Sequence, residues 1–314
     1  MKSVHLCVLL ASLAGGLGIA AQSVNAEPGP VKFAAPYRVM YGYCDPEDLR
    51  VGGFWQSREE WNNSWEDVFQ HFNVITGRTT DADLVKRLRA KGKVFAYHVQ
   101  NKNENWESLL QEWSRPFEDT LNGDLPGGFD AISIDELHSN PDGSVESDNT
   151  IKALRELHKR WPHKIIIAWA VAKVGLGGST GSYGKRYAEG HLFDRQLKAV
   201  ADCCNLLIIE SYQREANPHF AMANEVAHNL EARHPGLIKK TIIGLGISQS
   251  PDLNYDDRPD MDFGEHLEKQ IKLIHADHVL KQTPGIGFWA FYRAKPELMP
   301  TLNGLVDKYY PPAP

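Results

Sequence analysis

The chain has 314 residues and a formal net charge of −6 built from interspersed acids and bases. That pattern leaves no basic face for nucleic acid or an anionic membrane, so a neutral or weakly charged ligand is expected. The length exceeds a minimal domain and suits one core of roughly 250 residues plus loops.

The first 26 residues read as a secretory signal. Lys2 supplies the charged start, residues 8–21 the short apolar core, and Val24, Asn25 and Ala26 a small-residue cleavage site before Glu27. Gly15, Gly16 and Gly18 interrupt the apolar run before it reaches bilayer-spanning length, and no later segment is long and apolar enough. The expectation is a secreted or periplasmic protein with residues 27–314 as one catalytic domain and no membrane association after cleavage. Cys7 leaves with the signal, so Cys44, Cys203 and Cys204 remain. An odd count leaves at least one thiol in a monomer, and no zinc or redox spacing is present. Export permits a disulfide, but buried reduced cysteine is an equal alternative.

After a proline-rich lead, strand-like runs alternate with amphipathic helical runs. The strands are predicted at residues 38–44, 73–77, 93–100, 129–135, 164–171, 205–212, 239–247 and 285–292. Helices are predicted at 81–91, 105–121, 148–161, 193–203, 220–233, 264–281 and 296–309. Asp81 and Asp83 open the first of these, Gly92 ends it, and Pro162 stops the third. Eight strands in alternation with helices predict a single (β/α)8 TIM barrel. An open doubly wound sheet is the rival, but no glycine-rich phosphate fingerprint follows an early strand. The long polar stretches, 138–147, 173–192 and 248–262, all follow strands and so belong to one rim.

Residues 127–138, GGFDAISIDELH, organise the rest. Ile132 and Ile134 alternate with Ala131, Ser133 and Asp135, so the bulky face packs outward on helices and the small face ends in acid at the C-terminal rim. On the third strand Phe95, Tyr97 and Val99 form the bulky face, leaving Ala96, His98 and Gln100 inward. On the sixth, Glu210 and Tyr212 share the face of Ile208. Other strand ends carry Tyr41, Tyr43 and Asp45, Trp169, Gln213, Ser248 and Gln249, Trp289 and Tyr292. A lumen built for stability alone would hold Val, Ile and Leu there.

Carboxylates converging from the fourth and sixth strands amid Tyr, Trp, His and Gln suit cleavage of a glycosidic bond, which needs an acid, a second carboxylate and aromatic faces for sugar rings. The catalytic acids are sought among Asp135, Glu136 and Glu210, with one member kept protonated by burial. Tyr41, Tyr43, Asp45, His98, Gln100, Trp169, Tyr212, Gln213, Gln249, Trp289 and Tyr292 are the expected substrate contacts. The wall would include Tyr43, His98, Trp169 and Tyr212, and the floor Trp289. Because the fourth and sixth strands are not neighbours, the wider carboxylate spacing, and with it inversion, is favoured.

FDAISIDEL resembles the fourth-strand motif of glycoside hydrolase family eighteen, the chitinase-like barrels, where alternating aspartates lead to a catalytic glutamate. Glu210, Ser211, Tyr212 and Gln213 stand where that family has Met-x-Tyr-Asp, IIGLGIS looks like its seventh strand, and GIGFWAFY looks like its eighth, with Trp289 at the pocket-floor tryptophan. The resemblance covers the second half of the barrel and implies a glycoside hydrolase fold. In that register Asp135 matches the last aspartate, Ser133 replaces the one before it, Leu137 stands at the catalytic position, and Glu136 is one residue early. Gln213 replaces the aspartate after the tyrosine.

The leading expectation is an exported, monomeric glycoside hydrolase with a polysaccharide or glycoconjugate substrate and no cofactor or metal. The alternative is a catalytically inactive glycan-binding barrel, motivated by Leu137. A metal-dependent hydrolase or deacetylase ranks last, since only His98 and His138 stand at strand ends. Asp252, Asp256, Asp257, Asp260 and Asp262 lack the spacing of a calcium loop and read as a solvated or sugar-binding acidic rim.

Overall fold

The computed structural model describes residues 33–44, 66, 68–102, 105–135, 137, 143–171, 194–212, 220–249 and 262–312. Eight parallel strands close into a barrel in sequence order: β1 (Tyr37–Tyr43), β2 (Val74–Gly77), β3 (Val94–Gln100), β4 (Ala131–Asp135), β5 (Ile165–Val171), β6 (Leu206–Ser211), β7 (Thr241–Gly246) and β8 (Gly285–Trp289). Between and after them run α1 (Ala82–Ala90), α2 (Trp106–Glu118), α3 (Val145–Arg160), α4 (Asp194–Cys203), α5 (Phe220–Arg233), α6 (Phe263–Ala276) and α7 (Met299–Tyr309). This is the (β/α)8 barrel that the alternation predicts. The segment between β1 and β2 lies mostly outside the described residues, as does the signal-like stretch.

The helices start where their caps dictate. Asp81, Asn105, Ser144 and Asp262 each accept a backbone N–H from the first turn, at 2.9 to 3.1 Å. The Ser144 cap starts α3 at Val145, ahead of the expected Asp148. Asp262, the last acid of the acidic run, is therefore a helix cap. Strand β7 starts at Thr241 because a 3-10 turn, Leu237–Lys240, occupies the preceding residues. β8 stops at Trp289 because Ala290 takes a left-handed conformation, φ 68° and ψ 45°.

Alternation sorts the apolar residues into two layers. Ile75, Phe95, Ile132, Ile134, Leu207, Ile209, Ile243, Leu245, Ile286 and Phe288 face the helices. Val39, Tyr41, Ala96, Ala131, Ile167, Trp169, Leu206, Ile208 and Ile242 fill the lumen. Phe33 and Tyr37, stacked at 4.5 Å, lie against its N-terminal end and Trp289 against its C-terminal end.

The N-terminal end of the barrel is tied by long polar side chains. Lys93, before β3, donates to the carbonyls of Phe69 and Phe72, and Lys164, before β5, to those of Gly127 and Phe129. Arg89, at the end of α1, meets the Asp130 carboxylate at 2.5 Å and the Gly128 carbonyl at 2.6 Å. Asn73 and Asn205 accept the backbone N–H groups of Arg38 and Ile166. These bonds satisfy loop carbonyls and strand-end amides that would otherwise be lost on burial.

Candidate functional site at the C-terminal rim

The polar end of the lumen is set by a bulge in β1. Against β2, Tyr41 pairs with Thr76 but Tyr43 with Gly77, so two residues of β1 advance for one of β2. Gly42 absorbs the extra residue at φ 110°. Parity therefore changes between the two tyrosines. Tyr41 points into the lumen, whereas Tyr43 turns outward to pack edge-on against Phe95 and beside Phe69. The expectation that Tyr43 forms part of the cleft wall is thus corrected: its ring belongs to the layer between barrel and helices.

Tyr41 is the hub of the site. Its hydroxyl lies 2.8 Å from His98 Nδ1, and it also hydrogen-bonds the Asp135 carboxylate. His98 Nε2 stands 4.0 Å from Asp135 Oδ2, closing a triangle across β1, β3 and β4. Burial, then the Asp135 charge and hydrogen bond, then the Glu210 charge, push the Tyr41 phenol well above its ordinary range. Burial, with the positive field of Arg78, lowers the His98 pKa to about 4, so the imidazole is neutral at pH 7. The alternation expected on β3, β4 and β6 holds. Ala96 and His98 face inward, Gln100 pairs with Asp135 at the exposed rim, and Glu210, 6% exposed, lies on the face of Ile208. Asp135 keeps 28% of its side chain exposed.

Beside this triangle the lumen holds two further hydroxyls. Thr76 pairs with Tyr41, and Ser133 with His98, and both hydroxyls are buried without a protein partner among the described residues. Thr76 stands two residues after Val74 on the short strand β2 and so shares its inward face, which is the signal in the sequence for a polar group in the lumen.

Trp169 is fully buried and does not reach the cleft as a wall. Its ring crosses the lumen beneath Tyr41, centroids 4.8 Å apart, towards β7 and β8. A Cβ on Gly244 would lie 2.8 Å from the ring, and one on Gly287 3.5 Å. The indole thus fills the width that two glycines leave open, and it serves as the packed base of the site rather than as a wall.

Trp289 and Tyr212 stack at 4.5 Å and 16° at the rim, both half-buried. Tyr292 lies against Gly42, where a Cβ would approach its ring to 2.9 Å, and burial raises its phenol pKa. Gln249 is engaged locally: its N–H donates to the Arg293 carbonyl and its Oε1 accepts from the Lys295 N–H. Leu137 is buried in the layer facing the helices, and its N–H donates to the Trp169 carbonyl at 2.6 Å. The position that the family resemblance aligns with a catalytic glutamate is therefore turned away from the lumen. Asp45, Glu136, Gln213 and His138 lie outside the described residues.

Among the described residues one set of ligand-type side chains gathers away from the rim: His228 on α5 with Asp277 and His278 after α6. Asp277 already accepts from Asn224, His228 and the N–H groups of Val279 and Leu280. Its four donors make it a clasp between helices. Cys44, Cys203 and Cys204 are thiols, and burial raises the pKa of the adjacent pair, which disfavours the thiolate form.

The fold and rim together define a (β/α)8 barrel with inward acids on alternate strands. No protein-family model and no curated sequence matches the chain. Solved structures do. A chitinase active domain from Pyrococcus furiosus aligns with a TM-score of 0.54 at 12% identity over 90% of this chain and 99% of its own. A putative α-L-fucosidase from Bacteroides thetaiotaomicron gives 0.54 at 8% identity over 97% and 99%. A chitinase from the same organism gives 0.51 at 11% identity over 88% and 96%. The chain thus has the barrel fold of glycoside hydrolases, chitinases among them.

Proposed function

We propose that this protein is a glycoside hydrolase acting on a polysaccharide or glycoconjugate, with Asp135 of β4 and Glu210 of β6 as the acid pair. One observation carries the reading: a single buried phenol, Tyr41, feels the charge of both carboxylates at the C-terminal end of the barrel. Two acids around one point at the end of the barrel form the minimal apparatus for protonating a leaving oxygen while a second carboxylate activates water or forms a bond to the sugar. The stacked Tyr212 and Trp289 add an apolar surface for a sugar ring, and Gln100 a rim amide beside Asp135. Because β5 separates β4 from β6, the wider spacing of about 6.5 to 9.5 Å and inversion are favoured. The solved barrels of like fold include chitinases and a putative fucosidase, which supports carbohydrate as the substrate class. Export is part of the proposal, supported by the charged start, apolar core and Ala26 cleavage pattern of residues 1–26.

The test is a polysaccharide panel scored for new reducing ends, with NMR of the first-formed anomer on any substrate cleaved. Asp135→Asn and Glu210→Gln should each lower turnover by orders of magnitude while glycan binding persists. The buried Leu137 favours a second reading, an inactive glycan-binding barrel. That reading prevails if the parent binds glycans and cleaves none.

A further inference from the structure

The hydrogen bonds around Tyr41 constrain where protons reside. A phenol has one proton to give. An ionised carboxylate only accepts, so the bond to Asp135 takes the Tyr41 proton. The oxygen of Tyr41 is then an acceptor for the other partner, 2.8 Å away, and His98 Nδ1 must be the nitrogen that carries hydrogen. Nε2 is left bare, on the side of the ring that stands 4.0 Å from Asp135 Oδ2.

We propose that Asp135, Tyr41 and His98 form a proton relay in which His98, held as the Nδ1–H tautomer, takes up a proton at Nε2 and returns one to Asp135 through the Tyr41 hydroxyl. The proposal rests on the reading of Asp135 as one of the site's acids. In the forward step a substrate hydroxyl or water gives a proton to Nε2. The Nδ1–H proton passes to the Tyr41 oxygen as the phenol's own proton passes to Asp135. The new bonds are Nε2–H, a fresh Tyr41 O–H and Asp135 O–H; the broken ones are the donor's bond to hydrogen, Nδ1–H and the old Tyr41 O–H. The net result is one proton delivered to the carboxylate, with His98 neutral in its other tautomer.

The surroundings favour this neutral, concerted path. An imidazolium at position 98 is disfavoured by burial and by Arg78, and a phenolate at position 41 by burial and by Asp135, Glu210 and Tyr292. Neither middle member can hold charge cheaply, so the proton moves along the chain without resting on it. The relay also gives His98 a task beyond packing, and makes Tyr41 a positioning residue whose loss uncouples the other two.

The experiment uses the full chain with 15N-labelled histidine and long-range proton–nitrogen correlation near neutral pH. The signal of His98 is identified by its disappearance in His98→Asn, since the chain has 13 histidines. In the parent, His98 should be protonated at Nδ1 and bare at Nε2. In Asp135→Ala the phenol loses its acceptor and turns its proton to Nδ1, so the tautomer ratio should reverse by about tenfold or more, the bias that one buried hydrogen bond secures. In Tyr41→Phe the His98 tautomer should no longer respond to Asp135→Ala added as a second change. An Nε2–H tautomer in the parent, or the same tautomer with and without the Asp135 carboxylate, overturns the relay. Once the signal is assigned, the parent spectrum decides even if an Asp135 or Tyr41 variant fails to fold. No glycan enters the experiment, so its failure is distinct from a failure to cleave or bind carbohydrate.

Discussion

At the N-terminal end of the barrel, Lys93, Lys164 and Arg89 close on backbone carbonyls and on Asp130, each held by two partners. At the C-terminal end, Tyr41, His98, Asp135 and Glu210 face one another across a lumen that also contains the hydroxyls of Thr76 and Ser133, which have no protein partner among the described residues. Both ends bury polar groups, but the first binds the chain to itself, whereas the second gathers groups whose charge states are coupled. Buried polarity used to hold loops should register in stability, and buried polarity used for chemistry in rate.

Removing one rim carboxylate should separate the two ends most widely. Asp135→Asn or Glu210→Gln is expected to lower kcat by roughly 10²- to 10⁴-fold on a substrate the parent cleaves, with the melting midpoint nearly unchanged. A Glu210→Gln variant of near-parental rate would remove β6 from the chemistry.

The next effect is on pH dependence. His98 titrates at about 4 in the fold against 6.5 in an unperturbed chain. Above pH 6.5 it is neutral in both states and its contribution is fully present. As pH falls from 6.5 towards 4, the unfolded chain takes up a proton that the folded chain refuses, and stability declines by on the order of 3 kcal/mol. Urea unfolding at about pH 7 and about pH 4.5 should show a smaller acid loss in His98→Asn than in the parent. Equal losses would mean that His98 is not held neutral.

At the opposite end, Lys93→Met removes the ammonium from the Phe69 and Phe72 carbonyls and should cost about 1–3 kcal/mol in denaturant unfolding. Glycan affinity should not change. A variant that loses binding without losing stability would collapse the distinction between the ends. The smallest expected effect is Gly42→Ala, on the order of 1–2 kcal/mol, because φ is 110° and the new Cβ would press on the Tyr292 ring. Its thermal midpoint, read beside that of Tyr292→Ala, would show how much of the cost is the displaced ring.

Much of this contrast is local and therefore legible in the sequence. On β3, β4 and β6 the bulky residues alternate with small or polar ones, so His98, Asp135 and Glu210 follow from parity alone. Parity fails on β1, where Gly42 inserts a residue and sends Tyr43 outward; a glycine between two aromatics in a strand is the signal to weigh there. It fails again past Asp135, where the strand has ended and Leu137 packs towards the helices. The role of Trp169 is not legible locally, because it depends on Gly244 and Gly287, more than 70 residues away in sequence and two and three strands round the barrel.

That arrangement makes the barrel separable into a frame and a filler. The Trp169 indole contacts β7 and β8 through glycines, and its Nε1 has no protein partner among the described residues, so nothing polar is stranded when the ring is taken away. A Trp169→Gly chain would keep the strand ladder and gain an indole-shaped chamber walled by Tyr41, Ile208 and two glycine backbones. Added indole, entering as a guest, would restore the lost contacts in proportion to its concentration, by the same mass action that couples any ligand to folding.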